Sequence, residues 1–333
     1  MSIPSTGDYQ RAVGLLAAGE LVAFPTETVY GLGADASNPQ AVAKIFAAKG
    51  RPADHPLIVH LVGDDRLQHW ARDIPDMAWE LAEAFWPGPL TLILKKQDWV
   101  PDAVTGGQDT VGLRIPAHPV ALELLRRFGD INGAGGIAAP SANRFGRISP
   151  TTAAHVAEEL GGRVPLILDG GAAQVGIEST ILDLSRDEIA ILRPGLITPQ
   201  QLEMVLGWQP PLAVAAGAPR VSGSLPAHYA PLTPMRIVAP EHLPDLLNAL
   251  RHSGRRAGVI AHSQLPQWGP HRWHLLPAQA HGYAHEFYAR LRELDHAGVD
   301  LIVVEALPDA TTGPVWAGIA DRLRRAVAGA GEG

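Results

Sequence analysis

The sequence contains no cysteine, which excludes disulfide bonds, thiolate zinc sites and a cysteine nucleophile. It has no apolar run of about 18 residues or more and no basic-then-apolar N-terminal segment, so neither a membrane-spanning helix nor a secretory signal is predicted. The formal net charge of −7 gives no overall electrostatic reason to bind nucleic acid, although a charge sum does not describe a local basic groove. The composition, 46% hydrophobic and 18% charged, is typical of a soluble globular protein, which we expect in the cytoplasm.

General catalytic signatures are also missing. The chain has no Walker A loop, no GxSxG elbow, no HExxH and no GxGxxG after a strand. His281 and His285 lie four residues apart on a predicted helix, but no third ligand lies in register with them. We therefore interpret them as a solvated helix face and predict no metal site built from protein side chains.

The length of 333 residues is sufficient for two domains. Residues 207–234 carry six prolines and three glycines without periodicity, which predicts an interdomain linker between a domain at 1–206 and a second at 235–333. Strands and helices alternate in the second domain, which indicates a small parallel α/β fold.

Hydrophobic periodicity and Gly/Pro punctuation predict the secondary structure. Residues 25–33 are too rich in glycine and hydroxyl side chains for regular structure and are predicted to form a binding loop. The predicted strands are 21–24, 57–62, 91–95, 110–115, 136–140, 164–169, 179–184, 188–193, 235–238, 257–261, 273–276 and 300–305. The predicted helices are 8–18, 39–49, 119–128, 151–160, 199–206, 241–252, 283–296 and 316–328.

Two cations, Lys49 and Arg51, lie where the helix capped by Asn38 ends at Gly50 and the strand 57–62 follows. Lys49 could simply complement the carbonyl end of its helix. Arg51 favours an anion site instead, because two adjacent cations repel unless a negative group joins them. The sequence leaves both interpretations open.

Arg114 lies within an apolar strand and requires a carboxylate partner, either internal or on a ligand. His60 is either a satisfied core histidine or a ligand contact. Ser149, before Pro150, is predicted to be the N-cap of helix 151–160, which is compatible with phosphate binding.

Further polar residues lie at strand ends and loops, namely Thr28, Ser141, Asn143, Ser179 and Arg193. Cations and hydroxyls of this kind suit a phosphate-bearing ligand, and no protein nucleophile is evident. The pattern is typical of chemistry that works by positioning and electrostatics, as in phosphoryl or nucleotidyl transfer.

Seven segments resemble, in order, the YrdC-like family, and the tail resembles its long, two-domain form. They are FPTETVYGLG (24–33), KGRP (49–52), PLIVH (56–60), WPGPLT (86–91), APSAN (139–143), ESTI (178–181) and RPG (193–195), followed by HYAP (228–231), LRELD (291–295) and DRLR (321–324). The resemblance implies an α/β fold, in which a YrdC-like twisted mixed sheet with a concave basic cavity is followed by a small Rossmann-like parallel α/β domain.

The same resemblance implies an activity, in which L-threonine, bicarbonate or CO2, and ATP give threonylcarbamoyl-AMP and pyrophosphate, with Mg2+ carried on the triphosphate. A partner transferase then moves the threonylcarbamoyl group to the adenosine 3′ of the anticodon in tRNA. One alternative is an RNA-binding protein of this fold, which the acidic composition opposes. Another is a carbamoyl-phosphate-dependent carbamoyltransferase, although such proteins usually carry an additional catalytic domain.

The resemblance also assigns residues to roles, with Lys49 and Arg51 as the catalytic cations. Tyr229 would reach over the nucleotide, so that the linker acts as a lid. His55 replaces a frequent Asn of the family, which makes its contact pH-dependent. The implied ATP contacts are Lys49, Arg51, His55, Thr110, Ser141, Asn143, Ser149, Arg193 and Tyr229, and the implied threonine contacts are Thr28, His60, Arg114, Ala139 and Ser179.

Overall fold

The computed structural model describes residues 4–212, 217–263, 269–308 and 313–331. The chain divides into two compact units, the first comprising Met1–Phe145 with Ser149–Ser224 and the second Gly146–Ile148 with Leu225–Gly333. The segment 207–234 is thus shared, its first part grouping with the first unit and its second part with the second.

The first unit is built on one sheet with helices around it. Its strands are β1 (Val22–Pro25), β2 (Tyr30–Asp35), β3 (Ile58–His60), β4 (Leu90–Lys95), β5 (Thr110–Arg114), β6 (Ile137–Ala138), β7 (Thr180–Asp183) and β8 (Ala190–Arg193). Its helices are α1 (Thr6–Ala17), α2 (Pro39–Lys49), α3 (Leu67–Trp70), α4 (Asp76–Phe85), α5 (Asp102–Thr105), α6 (Pro119–Ile131), α7 (Ala153–Leu160) and α8 (Pro199–Leu206), with short 3₁₀ turns at Asp64–Arg66 and Gly161–Arg163.

The strand order in this sheet is β1-β2-β6-β3-β5-β4-β7-β8. The pairs β3/β5 and β4/β7 are parallel and the others are antiparallel. The mixed sheet that the resemblance implied is therefore confirmed.

Alternation of side chains along the central strands produces two different faces, because successive residues of a strand point to opposite sides. Val59, Leu92 and Leu182 belong to the large core that also contains the buried residues of α2, α4 and α8. Their chain neighbours Ile58, Ile93 and Ile181 form a separate small apolar cluster. The second face carries the candidate site.

The local helix signals of α2 are confirmed. The Asn38 side chain accepts hydrogen bonds from the N–H groups of Gln40 and Ala41, and Pro39 is the first helical residue. Gly50 ends the helix in the left-handed conformation with φ 63° and ψ 34°. This cap directs the chain out of the helix immediately after Lys49.

Two predictions about regular structure are wrong. The segment 25–33 is not loop throughout, because Tyr30–Asp35 forms β2 and pairs with β1. Gly33 is required there, since a Cβ atom would lie 2.7 Å from the ring of Phe24. The run 164–169 forms no strand, and only Ile167 makes an isolated bridge, to Ala23.

The second unit contains a four-stranded sheet in the order β11-β10-β12-β9, and all its strand pairs are parallel, which confirms the predicted parallel α/β fold. Its strands are β9 (Met235–Val238), β10 (Ala257–Ala261), β11 (Arg272–Leu275) and β12 (Leu301–Glu305), and its helices are α9 (Leu243–His252), α10 (Ala280–Asp295) and α11 (Trp316–Ala330), with a 3₁₀ turn at Pro240–His242.

Two charged residues of α10 bind other segments of the second unit. Asp295 forms an ion pair with Arg147 (2.8 Å) and accepts the N–H groups of Leu232 and Thr233. Arg292 donates to the carbonyl of Ile148 at 2.7 Å. Among the residues that the structure describes, no helix is long and apolar enough to cross a membrane.

Candidate functional site

Lys49 is buried at the end of α2, with 3% of its surface exposed. Its Nζ donates to the carbonyl oxygens of Ser141 (2.5 Å) and Asn143 (2.6 Å), not to the end of its own helix. Burial, and then the nearby Arg51 guanidinium, hold the pKa of Lys49 well below its ordinary value. An anion placed beside this amine would favour its charged form, so the geometry supports the anion-site interpretation over the helix-end one.

Arg51 and Arg193 both donate hydrogen bonds to the segment that follows α8. Arg51 Nη2 donates to the carbonyl of Pro56 (2.9 Å) and to the Ser222 hydroxyl (3.3 Å). Arg193 Nη1 donates to the carbonyl of Ser222 at 2.8 Å. Both guanidinium groups are therefore directed to one residue of the segment, and both are buried.

Val221, which precedes Ser222, packs against the sheet. Its side chain packs with Ile58, Ile93 and Ile181, the apolar cluster on the second face. Next to it, the backbone of Arg220 exchanges two hydrogen bonds with the side chain of Gln108. We call residues 220–222 the strap.

Ser179 lies under Arg193 and is fully buried. Its hydroxyl accepts from Arg193 Nη2 (3.0 Å) and lies 2.8 Å from the Thr91 hydroxyl, while its carbonyl accepts from Arg193 Nε. These bonds fix the plane of the guanidinium group.

The predicted capping role of Ser149 is wrong. Helix α7 begins at Ala153, and its N-cap is Thr152, whose side chain accepts from the N–H of His155. The Ser149 hydroxyl instead donates to Glu178 at 2.6 Å. Since its proton is used there, the Ser149 oxygen is presented as an acceptor, which suits a donor group on a ligand better than a phosphate oxygen.

Arg114 finds an internal partner. Its Nη2 lies 2.5 Å from Glu27 Oε1, and the two side chains are 5% and 6% exposed. Its Nη1 donates to the Thr28 hydroxyl (3.0 Å) and its Nε to the carbonyl of Gly88 (3.1 Å). Of the two partners that the sequence left open, the structure thus shows an internal carboxylate, and each terminal nitrogen retains a second N–H.

His60 pairs with Arg114 in the register of β3 and β5. Burial, and then the Arg114 charge, lower the pKa of His60 to about 3. Its Nδ1 has no hydrogen-bond partner among the residues that the structure describes. The imidazole is therefore neutral at physiological pH, and it can serve a ligand only as a neutral hydrogen-bonding group.

The remaining predicted contacts are less closely tied to these networks. The N–H of Ala139 donates to the carbonyl of Ile58, so only its carbonyl is available. Thr110 lines a narrow cavity beside the strap. Burial and Arg51 lower the pKa of His55, which packs edge-on against Phe145.

Tyr229 belongs to the second unit and has a positive φ of 63°. Its ring is buried, stacks on Tyr288 at 5.9 Å and has the Arg322 guanidinium 5.5 Å from its centroid. The other predicted site residues all belong to the first unit.

Several site residues were missed at the sequence level, namely Glu27, Thr91, Glu178, Val221 and Ser222. Glu27 lies inside the recognised segment 24–33, so its position was the available signal, but its partner was not predictable. Within the described part of the chain, no group of three His, Cys, Asp or Glu could hold a metal ion.

Two family signatures match the chain. Residues 14–195 match the Sua5–YciO–YrdC family, described as telomere recombination, and residues 197–328 match the family described as threonylcarbamoyl-AMP synthase, C-terminal domain. Threonylcarbamoyl-AMP synthase of Bacillus subtilis (strain 168) is 42% identical over 341 residues, covering 98% of this chain and 95% of that protein. The enzyme of the same name from Pyrococcus abyssi (strain GE5 / Orsay) is 39% identical over 325 residues, covering 95% and 92%.

A solved structure extends this likeness to the fold. The crystal structure of P. abyssi Sua5 complexed with L-threonine superimposes with a TM-score of 0.87 at 37% identity. The match covers 97% of this chain and 94% of that one.

Proposed function

Because the chain belongs to the threonylcarbamoyl-AMP synthase family, we propose that it converts L-threonine, bicarbonate or CO2, and ATP to threonylcarbamoyl-AMP and pyrophosphate. The observation that carries the proposal is that the first unit contains two groups of buried cationic side chains. Lys49, Arg51 and Arg193 suit the phosphates of a nucleotide, and Arg114 suits the carboxylate of an amino acid.

In this reaction the threonine ammonium group first releases a proton to solvent. The amine then takes up CO2 to give a carbamate with release of a second proton, and a carbamate oxygen attacks the α-phosphorus of ATP as pyrophosphate leaves. Negative charge grows on the oxygens around the α-phosphorus and on the leaving group. Lys49 and Arg51 offset that charge, as positioned donors do in other phosphoryl and nucleotidyl transfers. No covalent intermediate with the protein is needed.

On the threonine side, the Arg114 guanidinium holds the carboxylate through its remaining N–H donors. Neutral His60 and the hydroxyls of Thr28 and Ser179 are the groups proposed to orient the amine and the side-chain hydroxyl. Holding the carbamate in line with the α-phosphorus is the main contribution of these residues.

On the nucleotide side, the proposed contacts add the residues His55, Thr110, Ser141, Asn143, Ser149 and Tyr229. Mg2+ bound to the triphosphate would supply further neutralisation of its charge. The proposed setting is the cytoplasm, where a downstream transferase passes the threonylcarbamoyl group to tRNA.

The proposal is tested by pyrophosphate release from ATP with threonine and bicarbonate omitted in turn. We expect release to fall to background when either is omitted. Release that is indifferent to threonine would remove the proposal, whatever its rate.

We also propose that the strap is part of a lid that closes over the nucleotide. Val221→Ser is expected to shift the strap towards its open state by about 10-fold or more, because burying a Val side chain stabilises by about 1.5–3 kcal/mol. The KM for ATP should rise accordingly. Trypsin cleavage after Arg220 reports the open state directly, and a non-hydrolysable ATP analogue should slow it in the wild type and less in the variant.

The matched control is Ile131→Ser, which removes an apolar side chain that is already exposed. Its KM for ATP and its cleavage rate at Arg220 should equal those of the wild type. If the analogue leaves wild-type cleavage at Arg220 unchanged, the strap does not move on nucleotide binding and is not a lid.

A further inference from the structure

The loop that carries Glu27 is held rigidly in place. Val175 and Gly176 donate their N–H groups to the carbonyls of Glu27 (2.7 Å) and Thr28 (3.1 Å). The Thr26 hydroxyl donates to the carbonyl of Val29 at 2.6 Å. The Glu27 side chain therefore starts from a fixed backbone and has little freedom to leave its partners.

The carboxylate of Glu27 is satisfied on both oxygens. Oε1 accepts from Arg114 Nη2 (2.5 Å), and Oε2 accepts from the N–H of Ala117 (2.9 Å). The aromatic and aliphatic core around β1 and β6 lies close by, and both charged side chains are almost completely buried. In surroundings of low polarity, any charge that is added without a counter-charge carries a large energetic cost.

The net charge of the groups that surround a buried ligand determines which ligand charges are favoured. Among the described residues, two histidines interact electrostatically with the pair, His60 with Arg114 and His118 with Glu27. The pKa of His60 is about 3, and burial lowers the pKa of His118 below its ordinary value despite the nearby Glu27 charge, so both are neutral above pH 7. The Arg114–Glu27 pair with its two histidines thus carries no net charge, with a +1 group and a −1 group side by side.

We propose that Glu27 is a specificity-determining residue that selects α-amino acids in their zwitterionic form when they first bind, before the amine reacts. A zwitterion brings a carboxylate for Arg114 and its own positive charge, so it adds no net charge to the pocket. A carboxylate that lacks the amine adds an uncompensated negative charge. This inference rests on the proposed function, because it places the amino acid at Arg114.

The proposal predicts opposite changes for two ligands that differ only in the amino group. In Glu27→Gln the pocket gains a net charge of +1 while its shape is kept. The KM for L-threonine should rise about 10-fold, because the added positive charge disfavours the ammonium group. The inhibition constant of (R)-3-hydroxybutanoate, which is L-threonine without its amine, should fall, so that the ratio of the two constants changes by at least about 10-fold.

Initial rates of pyrophosphate release, measured at saturating ATP and pH 7.5 with both ligands varied, give these constants. Glu123→Gln is the matched control, because Glu123 pairs with Arg126 and Arg127 on the surface of α6. This control should leave both constants and the KM for ATP unchanged.

A merely structural role would lower the active fraction without changing either constant, or would weaken both ligands by the same factor, and either result overturns the proposal. Glu27→Asp gives an independent measurement, since it keeps the charge on a shorter side chain. It should retain the preference for threonine over (R)-3-hydroxybutanoate even if its yield is lower, and loss of that preference would also overturn the proposal. Failure of the proposed function is distinguishable, because it appears in the wild type as release without threonine.

Discussion

Replacing Lys49 by methionine is expected to lower kcat about 100-fold or more while leaving the fold intact. The loss follows because a positioned donor to the reacting phosphate is removed, and such donors contribute about 10²–10³-fold to the rate. Stability should be unchanged or higher at neutral pH, because a buried ammonium, whose hydrogen bonds within the described residues go to two carbonyls, is exchanged for an apolar side chain of similar length. Steady-state pyrophosphate release and urea unfolding measure the two effects separately.

The control for this change is Lys44→Met on the same helix, where the lysine is half exposed and pairs with Glu20. It should leave kcat within about twofold, since surface ion pairs contribute little. Near-normal kcat in the Lys49 variant would contradict the role assigned to this residue, and a large loss in the Lys44 variant would show that the helix surface, not the buried amine, is responsible.

The lowered pKa of Lys49 adds a pH dependence with a defined sign. The unfolded chain keeps this proton up to the ordinary value of 10.5, whereas the folded chain releases it earlier. Unfolding free energy attributable to Lys49 therefore rises with pH between the lowered pKa and 10.5. Over the same range the KM for ATP should increase in the wild type, as the charge is lost, and both trends should be absent in Lys49→Met.

The second large effect is expected for Arg114→Met. It leaves the Glu27 carboxylate buried without its cation, which costs about 3–5 kcal/mol of stability. Pyrophosphate release should also no longer saturate with threonine. Urea midpoints and threonine titrations of the purified variant measure these two consequences.

A double variant separates stability from binding. Arg114→Met combined with Glu27→Met removes both charges, and replacing a buried pair by apolar side chains is often neutral or stabilising. The double variant should recover most of the stability but none of the threonine dependence. If it also recovers normal threonine KM, Arg114 is structural, and the amino acid binds elsewhere.

Features that depend on neighbouring residues were predictable from the sequence. The cap at Asn38, the helix end at Gly50 and helix α8 require only local backbone preferences and hydrogen bonds, and they were correct. The proximity of Lys49 and Arg51 was predictable for the same reason, since a helix end followed by a strand places two cations together without reference to the rest of the fold.

Features that depend on distant pairing were not predictable. Tyr30–Asp35 forms a strand because its glycines allow close approach to Phe24 in the neighbouring strand, and glycine content alone indicates a loop. The identity of the Arg114 partner is similar, because Glu27 lies 87 residues away along the chain and the sequence contains 34 acidic residues. Ser149 does not cap helix α7, because its hydroxyl donates to Glu178, a carboxylate that is distant in the sequence.

The mass of the product tests whether threonine is joined to AMP through a carbonyl group that comes from bicarbonate. ATP, L-threonine and ¹³C-bicarbonate are incubated with the protein and Mg2+, and the adenylated product is trapped and analysed by mass spectrometry. We expect an AMP conjugate that contains threonine and one ¹³C atom per molecule. An AMP conjugate of threonine without ¹³C, or AMP alone with threonine-independent pyrophosphate release, would contradict it.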